Sequence, residues 1–331
     1  KFRWETWMNT IEKTLKGPKT KVLTITLNPV LDRTLYINNF QIGKTLIADK
    51  VKNYAGGKGV NVSRALKIMG FSTLASGIIP ETGSGFYLSI LDSEGIPHNF
   101  LKVKGNLRIN TTIITNVSES ETHIREKGPS LSPIDKDRFL WMIKEILPHF
   151  NAIAFSGSIP LGIDNTIYEE LIRIASKNGL RTYLDSSGKP LKEGTKAKPF
   201  FLKPNLEEAE DLTGIKVTGK NDYITIIKKI HLSGINYVAL SMGKNGLIFS
   251  SGRKCYHGQC NVERIINTVG SGDAALAGAI IGLEQGLSEK EITILSVCMG
   301  TANTQRDGAC HFSVRDMENL IKRVKVNEIT L

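Results

Sequence analysis

Thr268-Val269-Gly270-Ser271-Gly272-Asp273-Ala274-Ala275 leads straight into residues 276–286, a stretch apolar almost all round until Glu284. A segment apolar on every face reads as a buried helix. The glycines at its mouth let bare backbone approach a ligand without a Cβ in the way. The first turn of a helix has amide groups with no internal partner, and its dipole favours an anion there. Asp273 sits in that first turn, where two readings stand. It is a carboxylate that only caps the helix, or a general base beside an anion hole, the pairing suited to phosphoryl transfer.

The rest of the chain has to decide. At 331 residues and 40% hydrophobic it can bury one large core or two smaller ones. No apolar run is long enough to span a bilayer and no signal-peptide pattern opens the sequence, so no membrane partner is expected. Cys255, Cys260, Cys298 and Cys310 are too few and too irregular for a disulfide framework, and the expected compartment is the cytoplasm. Cys255, His257 and Cys260 are metal-ligating types, but zinc-binding pairs usually recur as two knuckles, and here there is one. The net charge of +11 is spread along the chain, with no arginine-rich arm or aromatic-interleaved basic strand. That distribution suits small polyanions better than nucleic acid, which is not expected as a partner.

Trp4, Trp7, Ile11 and Leu15 fall near helical spacing before Gly17-Pro18, so residues 1–20 read as an appended amphipathic helix or tail. Residues 21–27 form an apolar, β-branched strand that ends in Asn28-Pro29-Val30-Leu31-Asp32; a carboxylate just beyond a strand lies where open α/β sheets bind ligands. The runs 35–37 and 46–51, separated by Gly43-Lys44, read as a hairpin, and 108–115 with 122–126 as a second. Two hairpins outside the alternating pattern predict a small separate sheet, an arrangement often used as a lid. Between them, Gly56-Gly57-Lys58-Gly59-Val60-Asn61-Val62-Ser63-Arg64 opens an apolar-faced helix and makes a second anion-ready helix start, without the spacing of a Walker A loop.

Beyond Phe71 strands and helices alternate. Strands are predicted at 73–78, 152–156, 181–185, 200–203, 237–241 and 247–250, and helices at 135–147, 165–177, 207–212 and 222–232. This predicts a mostly parallel sheet with helices on both faces. Four polar signatures close its strands: Ser156-Gly157-Ser158-Ile159-Pro160, Asp185-Ser186-Ser187-Gly188, Lys203-Pro204-Asn205-Leu206-Glu207-Glu208, and Ser241-Met242-Gly243-Lys244-Asn245-Gly246.

Taken together these motifs resemble the ribokinase-like sugar kinases of the phosphofructokinase B branch, from about Lys21 onwards. The signature pair is 56–64 and 269–273; Asn28–Asp32, Arg108-Ile109-Asn110, 157–160 and 203–205 narrow the resemblance to the 1-phosphofructokinase and tagatose-6-phosphate kinase subfamilies. The resemblance implies an α/β/α sandwich with a small β lid, at about 33–54 and 106–127, within a kinase domain over 21–331. It also implies ATP as phosphoryl donor, Mg²⁺, a ketohexose-phosphate substrate and a homodimer formed through the lid.

Carried onto this sequence, the resemblance makes Asp273 the base, with the amides of Gly270, Ser271 and Gly272 holding the transferring group. Asn205 and Glu208 are similar to the magnesium-site residues, expected on one helical face; Lys203, Asn205, Ser241, Gly243 and Gly246 form the nucleotide site. Asp32, Gly57, Asn61 and Ser158 fall on the sugar site, while Lys58, Arg108 and, from a lid strand, Lys44 clamp the phosphate already on the substrate. Ser271 stands where many relatives have alanine. The implied reaction yields a 1,6-bisphosphate, from fructose 1-phosphate or, as the alternative, tagatose 6-phosphate. A 6-phosphofructokinase fits less well, as does a non-catalytic sugar-phosphate-binding protein, which would be expected to lack Asp273, the glycine turn or the Asn-x-x-Glu pair, all present here.

Overall fold

The computed structural model of the chain describes residues 20–115 and 121–331. The expected helix or tail at the start of the chain lies, apart from Thr20, outside the described residues. From Lys21 the chain enters β1 (Lys21–Thr26), then β2 (Val30–Tyr36), β3 (Lys50–Gly56), α1 (Lys58–Ile68), β4 (Ser72–Thr82), α2 (Ser84–Ser93) and β5 (His98–Asn106). There follow β6 (Arg108–Ile114), β7 (Glu121–Arg125), α3 (Pro133–Ile146), β8 (Ala152–Ser156), α4 (Ile167–Lys177), β9 (Arg181–Asp185) and α5 (Gly188–Thr195). The remainder is β10 (Phe201–Leu202), α6 (Leu206–Thr213), α7 (Lys220–Leu232), β11 (Tyr237–Ser241), β12 (Leu247–Ser250), β13 (Cys255–Gln259), α8 (Ser271–Glu284), α9 (Glu289–Asn303), α10 (Val314–Ile321) and β14 (Lys325–Ile329).

Ten strands make one sheet in the order β14-β13-β12-β11-β10-β9-β8-β1-β4-β5. From β5 to β11 the neighbours are parallel, whereas β12, β13 and β14 join antiparallel. Successive side chains of a strand point to opposite faces, so the buried strands feed two cores. Val22, Ala152, Ala154 and Phe201 pack with α1, α8, α9 and α10, while Leu23, Ile153, Phe155 and Leu202 pack with α3, α4 and α7. Both faces are covered, as a parallel sheet requires. The helix read around 276–286 is α8, buried as expected. A Cβ on Gly278 would stand 2.8 Å from Ser296 Cα, so glycine lets α8 and α9 pack backbone to backbone. The order of strands reverses around β1, and its carboxyl end is where such sheets form a ligand crevice.

The second sheet runs β3-β2-β6-β7. Its two hairpins are antiparallel, and β2 and β6 join them in parallel. The first hairpin differs from the sequence reading. Its strands start at Val30 and end at Gly56, and the stretch between Tyr36 and Lys50 is loop. Lys44 is therefore exposed in that loop and not on a strand. Asp32 lies inside β2, opposite Tyr54 and Asn110, instead of just past β1. The break at 27–29 turns the chain out of the large sheet and into the small one. No helix among the described residues is long and apolar enough to cross a membrane.

Candidate active site

The glycine turn at the mouth of α8 is fixed from behind. Gly270 takes φ +87° and a Cβ there would meet Ala309 Cβ at 2.7 Å, so only glycine fits without strain. Buried Asn303, at the end of α9, donates from Nδ2 to Val269 O and Ser271 Oγ, both at 2.9 Å, and its Oδ1 accepts from Cys310 N. The Ser271 amide donates to Thr268 O at 3.2 Å, so of the three amides expected to face an anion this one is already engaged in closing the turn. Gly272 stays open at the surface of the turn, with Lys203 Nζ 3.3 Å from where its Cβ would be.

Asp273 is 5% exposed and accepts from Asn61 Nδ2 at 2.8 Å. Burial pushes its carboxyl up to about 6, with Asp185 adding to the rise and Lys58, Asn61 and Lys203 opposing it. A carboxylate with that affinity is half-poised to take a proton near neutrality.

Beside it stands a group that the sequence reading did not single out. Asp185, at the end of β9, is buried and ion-paired to Lys58 Nζ at 3.1 Å and Lys203 Nζ at 2.9 Å. Burial alone would raise its carboxyl, but the two ammonium groups, Lys203 first, hold it below the ordinary range. Asp185 in turn holds the Lys58 ammonium above the usual lysine range against its desolvation. The ends of β9 and β10 and the start of α1 thus bring residues 58, 185 and 203 into one cluster beside Asp273. Only the strand-end position of Asp185 hinted at this.

Two cavities flank the turn. The larger, about 550 Å³, is lined by Asn205, Ser241, Gly243, Gly246, Ser271 and Gly272, among others. It unites every expected nucleotide-site residue except Lys203, which lies beneath it against Asp185. The smaller, about 250 Å³, is lined by Asp32, Asn61, Asn110, Arg125, Val269 and Gly308, among others. Residues 265–272 separate the two, alternately lining one and the other.

On the side of the smaller cavity, Asp32 accepts from Asn110 Nδ2 at 3.1 Å, and burial raises its carboxyl. A Cβ on Gly56 would fall 2.1 Å from Asp32 Oδ2, so glycine makes room for that carboxylate. Gly57 starts α1 with φ +130°. Ser158 Oγ accepts from Asn28 Nδ2 at 3.3 Å. The three cations expected to form a phosphate clamp are dispersed. Lys58 is drawn to Asp185, Arg108 donates to Asn28 O and Pro29 O at 2.8 and 3.3 Å, and Lys44 sits in its exposed loop. Arg125, which the sequence reading left out, is the cation lining the cavity together with buried Arg64.

Asn205 and Glu208 meet at the start of α6. Asn205 is the N-cap of α6, and the two form a reciprocal capping box, each side chain accepting from the other's amide at 2.8 Å. Only Glu208 Oε2 is used there. Glu208 Oε1 takes no part in the box, and burial raises this carboxyl. Among the described residues no cluster of three His, Cys, Asp or Glu side chains could hold an ion alone. Magnesium is usually held by one or two carboxylates with water and substrate phosphates, and the donors here fit that manner of binding. Cys255, His257 and Cys260 do not converge. Cys255 is buried in the core, while His257 Nε2 lies 2.7 Å from Asn245 O.

A family model described as pfkB family carbohydrate kinase matches residues 25–316. The 1-phosphofructokinases of Borreliella burgdorferi and Bacillus subtilis are each 30% identical, over 309 and 310 residues. Those alignments cover 93% of this chain and 99% and 100% of the relatives. A Thermotoga maritima structure described as a possible 1-phosphofructokinase superposes with a TM-score of 0.84 at 26% identity, covering 94% of this chain and 100% of the other. The buried carboxylate at a glycine turn between two cavities thus sits in a chain matched to kinases over nearly its full length. The chain belongs to the pfkB family of carbohydrate kinases and is an ATP-dependent sugar-phosphate kinase.

Proposed function

We propose that this kinase phosphorylates a ketohexose monophosphate to a 1,6-bisphosphate in the cytoplasm, with fructose 1-phosphate as its preferred substrate and tagatose 6-phosphate as the alternative. The observation that carries the reading is the position of Asp273, buried next to Ser271 and Gly272, which line the larger cavity, and hydrogen-bonded to Asn61, which lines the smaller. The names of the two relatives support the order of substrates. ATP lies in the larger cavity and the sugar in the smaller, against Asp32, Asn110 and Asn61, whereas the expected contacts Gly57 and Ser158 are not among the residues lining it. The free primary hydroxyl of the sugar attacks the terminal phosphorus of ATP. A new O–P bond forms, the bond to the bridging oxygen breaks, ADP leaves, and Asp273 receives the hydroxyl proton. The open amides of the glycine turn, Gly270 and Gly272, with Lys203 behind them, stabilise the charge of the group in flight. Asn205 and Glu208 would hold Mg²⁺ on the ATP side, where the ion would neutralise phosphate charge. Arg125 joins Lys44 and Arg108 as a candidate to hold the phosphate already on the sugar.

The test is Asp273→Asn assayed with fructose 1-phosphate and ATP. A positioned base contributes about 10²- to 10⁴-fold, so kcat should fall at least about 100-fold while ATP still binds. The base works only when ionised. Because its carboxyl is raised to about 6, kcat/KM of the parent should decline as pH falls through about 6, well before an ordinary aspartate would protonate. Near-parental turnover by the variant would reject this role for Asp273.

A further inference from the structure

Arg64 is 5% exposed and lies on α1, beneath the smaller cavity. A guanidinium has five N–H donors and no acceptor, and here it makes four hydrogen bonds and an ion pair. Nε donates to Glu94 Oε2 at 2.9 Å and Nη2 to Ala55 O at 3.0 Å, while Nη2 also lies 2.8 Å from the same carboxylate as its ion-pair partner. Nη1 donates to Ala309 O at 3.2 Å and to Asn61 Oδ1 at 2.9 Å. Glu94 is itself held by His311 Nε2, 3.1 Å from its Oε1.

The last of these contacts has a chemical consequence. Since Arg64 can only donate, it fixes the oxygen of the Asn61 amide toward itself. The NH₂ end must then point the other way, and it donates to Asp273 Oδ2 at 2.8 Å. We propose that Arg64 is a positioning residue for the catalytic carboxylate, acting through Asn61 by locking its amide in the one orientation that donates to Asp273. Without the lock the amide can turn over and present its oxygen to the carboxylate, replacing a hydrogen bond with a repulsion. The proposal rests on Asp273 being the base. Ala55 O and Ala309 O tie the same guanidinium to both walls of the cavity, so a purely structural role for Arg64 is the competing explanation.

A double-mutant cycle separates the two. Arg64→Met and Arg64→Lys are made in the parent enzyme and again in Asn61→Ala, with Asp273→Asn as the control for the base. Circular dichroism and ATP binding identify folded variants; Arg64→Lys keeps the charge and serves if Arg64→Met does not fold. A catalytic group misplaced by about 1 Å can cost on the order of 100-fold, so Arg64→Met should lower kcat by roughly that factor in the parent. In Asn61→Ala the same change should lower it by less than about threefold, because the intermediary is gone. The KM for ATP should hardly move. The acid limb of kcat/KM should shift to higher pH in Arg64→Met, since Asp273 loses a donor while Lys58, Asp185, Lys203 and Cys310 still face it. Equal losses in both backgrounds, or an unmoved acid limb, would overturn the positioning role. Near-parental turnover in Asp273→Asn would instead remove the assignment of the base on which it rests.

Discussion

Glu208 combines a structural and a chemical task in one carboxylate. One oxygen completes the capping box with Asn205, which lines the larger cavity, and the other is not used in the box. Glutamine serves as well as glutamate at the third position of a capping box. Glu208→Gln should therefore leave the melting temperature nearly unchanged while removing the charge. If Glu208 holds Mg²⁺ through water, the Mg²⁺ concentration for half-maximal rate should rise about 10- to 100-fold, the usual effect of losing an outer-shell partner. The KM for the sugar phosphate should change much less, because the metal sits on the ATP side. A magnesium titration matching the parent would remove Glu208 from the metal site. The sequence showed the Asn-x-x-Glu spacing, but the capping box comes from Asn205 being the N-cap, a backbone property the spacing does not carry. Asp185 was hidden for a related reason: its partners Lys58 and Lys203 are far from it in sequence, and only the fold unites them.

At the scale of elements, the small sheet has two edge strands, β3 and β7, and carries apolar side chains into water. Val51 and Ile124 are about half exposed, and Ile42 and Ile47 in the long loop almost fully so. Exposed edges and apolar faces of this kind are usually covered. Pairing two such sheets across a two-fold axis would cover them. The expected assembly is a homodimer, with the small sheet serving as its shared lid. Sedimentation at micromolar protein should give a dimer, and Ile124→Lys should shift it toward monomer; a parent that is monomeric throughout would refute this. Elements were legible where burial is complete. The strands at 152–156, 181–185, 237–241 and 247–250 have the bounds read from sequence, three of them as short apolar runs and 181–185 from its Tyr183-Leu184 centre before Asp185. β13 and β14 escaped notice because Cys255–Gln259 and Lys325–Ile329 lack an apolar run and are made strands by antiparallel pairing, β14 at the edge of the sheet.

For the whole molecule, a wound sheet placed the glycine turn, the strand-end carboxylate and the Gly-rich start of α1 around one crevice. Its existence was legible from the accumulation of polar signatures at strand ends, and the Asp273–Asn61 contact joins two of the motifs quoted from sequence. The phosphate clamp was not legible, because whether a cation is free depends on its neighbours: Arg108 is held by two backbone carbonyls and Lys58 by Asp185. That leaves substrate choice as the point on which the account is most exposed. Fructose 1-phosphate and tagatose 6-phosphate present a phosphate at opposite ends of a ketohexofuranose and differ in the face of the C4 hydroxyl, so a site bonded to that hydroxyl discriminates strongly. The most direct measurement is kcat/KM for fructose 1-phosphate, tagatose 6-phosphate and fructose 6-phosphate under one set of conditions. The account predicts at least about tenfold preference for fructose 1-phosphate, roughly 1.4 kcal/mol at the transition state. An equal preference for either 6-phosphate, or a faster reaction with unphosphorylated fructose, would contradict it.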